Sequence, residues 1–136
     1  MIGQLNQSNN LEDIYRDDLL EEARDPSYFG KLENPDIVIE DFNASCGDRV
    51  KVMIRLSANN KIIKDLRWSG EGCLISRVSM SRLAAMVIGQ SLEAVSQITS
   101  DELKSALNLE NLTPMRSKCV SLGLVALQKA ISSRSY

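Results

Sequence analysis

Hydrophobic and charged residues alternate across the middle of the chain, and this pattern predicts a small sheet. The clearest segment combines four aliphatic and three basic residues: Val50, Val52, Ile54 and Leu56 alternate with Arg49, Lys51 and Arg55. A period of two is typical of a strand with one buried face. The apolar stretches at 37–39 and 62–68 predict strands on either side of it. Because the connections are short, the three strands should form an antiparallel meander.

Before the sheet, the spacing of apolar residues predicts a helix. Asn10 is a suitable N-cap, and the apolar stripe comprises Leu11, Ile14, Tyr15 and Leu19. This helix should end before Pro26, and Tyr28-Phe29-Gly30 should turn the chain towards the first strand.

After the sheet, the pattern changes to helical spacing. A helix is predicted over 73–88, ending at Gly89, and a short one begins at Ser91. Thr99 with Glu102 forms a capping box for the next helix. Thr113-Pro114 places a cap and a first-turn proline before a last helix with four core positions: Val120, Leu124, Leu127 and Ile131.

These elements predict an α+β fold, a small antiparallel three-stranded sheet packed against several helices on one face. A chain of 136 residues is long enough for one domain with a modest core. We expect a flexible N-terminal tail over 1–10 and a single domain over 11–136.

Composition narrows the classes of partner. The net charge of −2 and the aromatic content of 4% give no sign of nucleic-acid binding. No apolar stretch approaches the roughly 20 residues that cross a bilayer, and the first ten residues lack the features of a secretory signal. Three cysteines cannot close a disulfide framework, so free thiols in a reducing compartment are expected. The predicted location is the cytoplasm, with neither nucleic acid nor a membrane as partner.

The three cysteines are the candidate chemistry. Cys46-Gly47-Asp48 falls between the first two strands, where glycine permits a tight turn that can direct a thiolate and a carboxylate at one ion. Cys73 follows two glycines at the start of a helix, whose free amides and dipole stabilise a thiolate. It could instead be a small residue packing the helix against the sheet.

Cys119 lies in the first two turns of the last helix, next to Lys118 and one turn from Arg116. Neighbouring cations also favour a thiolate, although a core cysteine beside Val120 would have the same sequence context. Together, three thiolates and one carboxylate would complete a four-coordinate shell that suits zinc or an iron–sulfur cluster.

Such a site carries excess negative charge, and the local cations that could balance it are Lys118, Arg116, Arg49 and Arg77. The chain contains no histidine, which excludes an imidazole ligand and a Cys–His catalytic pair. No other catalytic signature is present. An enzyme with its own turnover is therefore not favoured.

At these residues the sequence resembles the U-type iron–sulfur cluster assembly proteins, the IscU, SufU and NifU N-terminal family. The likeness extends from about Leu11 to Ile131. Asp25-Pro26 with Phe29-Gly30 resembles the family's early Asn-Pro and glycine segment, and Cys46-Gly47-Asp48 matches its first cysteine motif. Residues 70–76 and 116–119 match the second and third motifs, particularly in their SufU form.

The resemblance implies a small α+β domain whose metal ligands are Cys46, Asp48, Cys73 and Cys119. Family members accept sulfur as a persulfide from a SufS-like or IscS-like cysteine desulfurase and serve apo iron–sulfur proteins. SufU-like members bind zinc and relay sulfur, in which case Cys46 would accept the persulfide. IscU-like members build a [2Fe–2S] cluster, and that mechanism would favour Cys119.

Two features leave the choice between Zn²⁺ and [2Fe–2S] open. Lys118 precedes the last cysteine, as in SufU proteins, whereas IscU proteins carry histidine there. The stretch between Cys73 and Cys119, however, has the length found in IscU. Use of an Hsp70-type chaperone also stays open, because residues 112–116 match the IscU chaperone segment only in part. A structural zinc domain that binds a partner, or a metal-free helical adaptor, would be the alternatives.

Overall fold

The computed structural model describes residues 16–44, 47–109 and 112–134. Within these ranges a short helix precedes three strands, and four helices follow them. Their bounds are α1 (Asp17–Arg24), β1 (Ile37–Asn43), β2 (Asp48–Leu56), β3 (Ile63–Glu71), α2 (Leu74–Val87), α3 (Leu92–Ser96), α4 (Ser100–Ala106) and α5 (Pro114–Arg134).

The strands form one antiparallel sheet in the order β1-β2-β3. In this register Val52 of β2 lies between Ile39 and Trp68. Alternate residues of β2 enter the core, beginning with Asp48 and Val50 and continuing through Leu56. Asp48 therefore lies on the same face as the aliphatic residues that hold the sheet against the helices.

Helices cover one face of the sheet, and α2 packs closely against α5. Leu83 and Val87 of α2 and Leu124 and Leu127 of α5 are all buried in the shared core. The two helices approach so closely that a Cβ on Gly123 of α5 would overlap Met80 of α2. Val38 and Phe42 of β1 are about half exposed on the opposite face of the sheet.

The predicted sheet, meander and fold class are confirmed, and so are most helix ends. Thr99 and Glu102 form both hydrogen bonds of the capping box, and Ser91 caps α3 by accepting from the Ala94 N–H. The Thr113 hydroxyl accepts from the Arg116 N–H at the start of α5. Tyr28 and Gly30 both have positive φ where the turn was expected.

Two predicted boundaries were wrong. The helix that contains Leu19 begins at Asp17, because Arg16 has an extended ψ of 149° and interrupts the helical backbone, so one continuous helix through residues 11–19 is excluded. The predicted cap Asn10, three of the four stripe positions and the tail over 1–10 lie outside the described residues, whereas Leu19 is fully buried. The third strand also continues beyond Trp68 to Glu71, so the second cysteine motif begins inside the sheet.

No helix within the described ranges is long and apolar enough to span a bilayer.

Candidate metal centre

Asp48 is the first residue of β2 and follows the turn that leaves β1. Gly47 has a φ of +74°, and its N–H donates to the Asn43 carbonyl at 2.8 Å. Glycine adopts this left-handed conformation without strain, so it allows the chain to reverse directly before the ligand. Asp48 is only 2% exposed. A carboxylate so deeply buried needs specific partners.

Cys73 supplies one of these partners. Its backbone N–H donates to Asp48 Oδ1 at 3.1 Å, and its Sγ lies 3.8 Å from Asp48 Oδ2. Cys73 is also the N-cap residue of α2, with an extended ψ of 171°, so its N–H has no partner within the helix and is satisfied by Asp48 instead. The side chain itself is exposed. The end of β3 and the start of α2 thus bring an accessible thiol to a buried carboxylate.

The glycines before Cys73 make this contact sterically possible. A Cβ on Gly72 would lie 2.7 Å from Asp48 Oδ1 and would overlap the Ser76 hydroxyl. Gly70, with a φ of +157°, pairs with Val50 and passes so close to β2 that a Cβ would overlap the Arg49 carbonyl. Sequence reasoning placed these glycines between a strand end and the start of a helix. It did not foresee that Gly72 makes room for the carboxylate of Asp48.

Cys119 reaches the same place from α5. It is 4% exposed and belongs to the core with Val120. Cys119 is therefore a core residue, as one interpretation of the sequence expected, and its thiol also faces the candidate ligands. One carboxylate oxygen of Asp48 and the Sγ atoms of Cys73 and Cys119 all lie within 4.8 Å of one another. Residues 48, 73 and 119 are distant in sequence, and three different elements bring them together.

This donor set fits a metal ion. Two thiolates bound to Zn²⁺ at about 2.3 Å would lie roughly 3.8 Å apart, so the three atoms need only small shifts to share one ion. Thiolate with carboxylate also suits iron in a cluster. The fourth predicted ligand, Cys46, lies outside the described residues, next to Gly47 and two positions before Asp48.

The predicted cationic partners occupy different surroundings. Lys118 is exposed and Arg116 is half-buried, and neither forms an ion pair within the described part of the chain. Arg49 and Arg77 line a narrow cavity of about 10 Å³ together with Cys119. Arg77 donates two hydrogen bonds to the Ala23 carbonyl, and its carbon chain therefore bridges α1 and α2.

An α+β fold that gathers two thiols and a buried carboxylate at one end of a three-stranded sheet defines the class: a small fold with a candidate metal centre. Residues 14–135 match the NifU-like N-terminal domain, and the chain belongs to that family.

Two similar proteins are a sulfurtransferase and a cluster assembly scaffold. The zinc-dependent sulfurtransferase SufU of Bacillus subtilis is 30% identical, over 90% of this chain and 92% of its own. The iron–sulfur cluster assembly scaffold protein IscU of Thermotoga maritima is 26% identical, over 90% and 95%. Among solved structures, an iron–sulfur cluster assembly scaffold protein for the SUF system from Fervidobacterium islandicum superposes with a TM-score of 0.75. That structure is 25% identical and covers 87% of this chain and 96% of its own.

Proposed function

We propose that this protein assembles iron–sulfur clusters by holding a metal and accepting persulfide sulfur from a cysteine desulfurase. The proposed ligands are Cys46, Asp48, Cys73 and Cys119. The observation that carries the proposal is the convergence of Asp48, Cys73 and Cys119 within 4.8 Å from three separate elements. The relationship to a zinc-dependent sulfurtransferase and to scaffold proteins supports the same role.

Bound Zn²⁺ would keep the cysteines as thiolates and offset their charge at neutral pH. The chain's own residues do the remaining work. Asp48 is held by the Cys73 N–H, so this carboxylate is oriented before any ion arrives. Cys119 is fixed by core packing, whereas Cys73 stands open to solvent at the helix N-terminus.

Sulfur transfer would be a thiol exchange. A thiolate of this chain attacks the outer sulfur of the desulfurase persulfide, a new S–S bond forms here, and the S–S bond on the desulfurase breaks. The desulfurase leaves as a thiolate, so no external oxidant or reductant is consumed. The protein then carries a persulfide, and the desulfurase remains the enzyme that releases sulfur from cysteine.

Cys46 and Cys119 are the predicted acceptors. Cys119 is 4% exposed, so a partner's persulfide could reach it only after local opening of the site. This burial supports Cys46 as the first acceptor, with Lys118 and Arg116 balancing charge nearby. Apo iron–sulfur proteins in a reducing cytoplasm would receive the product.

A [2Fe–2S] scaffold is the second candidate. The same thiolate and carboxylate donors suit iron, and the relationship to an IscU scaffold supports it. A structural zinc domain is less well supported, because the core extends from α1 to α5 and is built from apolar contacts. Such a core should keep the fold after chelation, whereas a structural zinc domain would unfold.

The test is transfer of labelled sulfur. The protein is incubated with a SufS-type or IscS-type cysteine desulfurase and ³⁵S-cysteine, and the persulfide is located by mass spectrometry of non-reduced peptides. Sulfur should appear on Cys46 or Cys119, disappear in the corresponding serine variant and require the desulfurase. Absence of sulfur from all three thiols would refute the relay.

Metal content separates the two candidates. Protein purified with and without oxygen is analysed for zinc, iron and acid-labile sulfide. Zinc alone under both conditions supports the relay. Iron with stoichiometric sulfide under anaerobic conditions supports the scaffold.

A further inference from the structure

A positively charged groove lies beside the metal centre. It has a volume of about 350 Å³ and lies between the end of β1 and one side of α5. Of the described residues that line it, Lys104, Lys118 and Lys129 are positively charged and Asp41 alone is negatively charged. The whole chain has a net charge of −2, so the groove reverses the sign of the molecule locally.

Two of these lysines are available to a partner. Lys118 is exposed and makes no ion pair with residues 16–44, 47–109 or 112–134. The Lys129 ammonium lies 3.4 Å from Asp41 Oδ2, but its side chain is 65% exposed. An ammonium group has three donors, so Lys129 can bind a second carboxylate without losing Asp41.

Apolar surface separates the two lysines. Leu122 is half-buried and Val125 is 42% exposed, and both line the groove. Positions 118, 122, 125 and 129 follow the spacing of one helix face, so the four side chains form a continuous stripe. Lys118 and Lys129 are eleven positions apart, so their Cα atoms are separated by about 16 Å along the helix axis.

This arrangement indicates what kind of ligand would fit. Lysines about 16 Å apart cannot converge on one phosphate or other small anion. Addition of a strand along β1 is also disfavoured, because the Phe42 N–H already donates to Asp41 Oδ1 at 2.8 Å. The groove therefore suits a polypeptide that binds through its side chains, with carboxylates at its two ends and an aliphatic group between them.

We propose that this groove docks an acidic segment of a partner protein. Carboxylates of the segment face Lys118 and Lys129, and an aliphatic side chain packs on Val125 and Leu122. Docking here would place the partner at the first turns of α5, where Lys118 precedes Cys119 in the chain. The inference does not require sulfur or metal at the thiols, and its test is separate from that of the proposed function.

The probe is a fluorescein-labelled peptide, Glu-Glu-Asp-Leu-Leu-Asp-Glu-Glu, measured by fluorescence anisotropy against the full chain as purified, at about 0.15 M salt. A second peptide carries glutamine and asparagine in place of every carboxylate. Saturable binding of the acidic peptide and at least about tenfold weaker binding of the amide peptide are expected.

Two matched pairs of variants locate the binding. Lys129→Gln should weaken it about threefold, and Lys64→Gln, which removes an exposed charge from β3, should leave it unchanged. Val125→Asp should weaken it at least about tenfold, because it places a negative charge in the groove that repels the acidic peptide. Val38→Asp, at a similarly exposed valine on β1, should have no effect.

Three outcomes would overturn the proposal: no saturable binding of the acidic peptide, equal losses in the control variants, or equally tight binding of the amide peptide. A twelve-nucleotide single-stranded DNA is tested in parallel. If it binds as tightly as the peptide and is weakened by the same variants, the groove is a general polyanion surface and the proposal is wrong.

Discussion

The two described thiols of the metal centre are held by different kinds of structure. Cys73 lies where β3 passes into α2, and backbone contacts position it: the N–H to Asp48 and the close approaches at Gly70 and Gly72. Cys119 lies within α5, and apolar packing positions it. The first thiol is exposed and the second is 4% exposed. The candidate centre thus combines an accessible thiol with a thiol that belongs to the core.

The largest expected difference between them is reactivity. In the metal-free protein, iodoacetamide should alkylate Cys73 at least about 100-fold faster than Cys119, because Cys119 reacts only through local opening that costs a few kcal/mol. Quenched time points and peptide mass spectrometry measure both rates in one sample. Zinc should protect both thiols. Equal rates in the metal-free protein would show that Cys119 is not held in the core.

The backbone contacts at Cys73 can be tested without changing a ligand. Gly72→Ala should weaken zinc binding by about 10-fold to 100-fold, since its Cβ would displace the Asp48 carboxylate and the Ser76 hydroxyl. Competition with a chromophoric zinc chelator measures the affinity.

Gly89→Ala is the matched control, because no atom lies within 4 Å of the added Cβ and its positive φ of +91° introduces only local strain at the end of α2. Its zinc affinity should equal that of the wild type. Unchanged affinity in Gly72→Ala would mean that the position of Asp48 is not set by this contact.

Replacing each thiol should also change the stability of the fold to a different extent, and this difference should be smaller than those above. In the presence of a chelator, Cys119→Ala should lower the free energy of unfolding by about 1 kcal/mol, because it removes a buried sulfur from the core. Cys73→Ala should change it by less than about 0.5 kcal/mol, as is usual for an exposed side chain. Urea denaturation followed by circular dichroism measures both. A larger loss for Cys73→Ala would reverse the assignment of core and accessible ligand.

The smallest effect concerns α1, which carries none of the proposed ligands and serves as a reference region. A hydrogen bond from Arg16 holds the pKa of Asp18 below its ordinary value of 3.8. A carboxyl whose pKa is lower in the folded state stabilises the protein above the unfolded-state pKa. The contribution is lost as the pH falls through the folded-state value.

For this exposed pair the contribution is a few tenths of a kcal/mol. Asp18→Asn should therefore be slightly less stable than the wild type at pH 7, and the difference should shrink as the pH is lowered towards 2. Urea midpoints at both pH values measure the difference. A difference that grows in acid would contradict the assignment of the Arg16 interaction.

The sequence predicted those parts of the molecule that local chemistry determines. Alternation identified β2, and side-chain caps identified the starts of α3, α4 and α5. It failed at Arg16, where apolar spacing continues across residues 11–19 but the backbone is extended, because periodicity contains no information about a single non-helical ψ. It also failed at Gly70, where glycine suggested a strand end although the close pairing with β2 requires glycine.

For the site, the candidate ligands and their order along the chain follow from three motifs. The surroundings of these residues could not be predicted from the sequence. Burial of Cys119 and exposure of Cys73 depend on how α5 and α2 pack, which is a property of the assembled core. The contact of Gly72 with Asp48 joins residues 24 positions apart in sequence and requires the register of the sheet.

The register also links folding fidelity to chemistry. Asp48 shares its face with the core residues of β2, so a hairpin that slipped by one position would expose Val50 and Val52 and turn the carboxylate away from Cys73. A misaligned sheet could not capture an ion at this end. In the proposed function, metal binding would therefore require native strand alignment, so that only correctly folded chains could act as carriers.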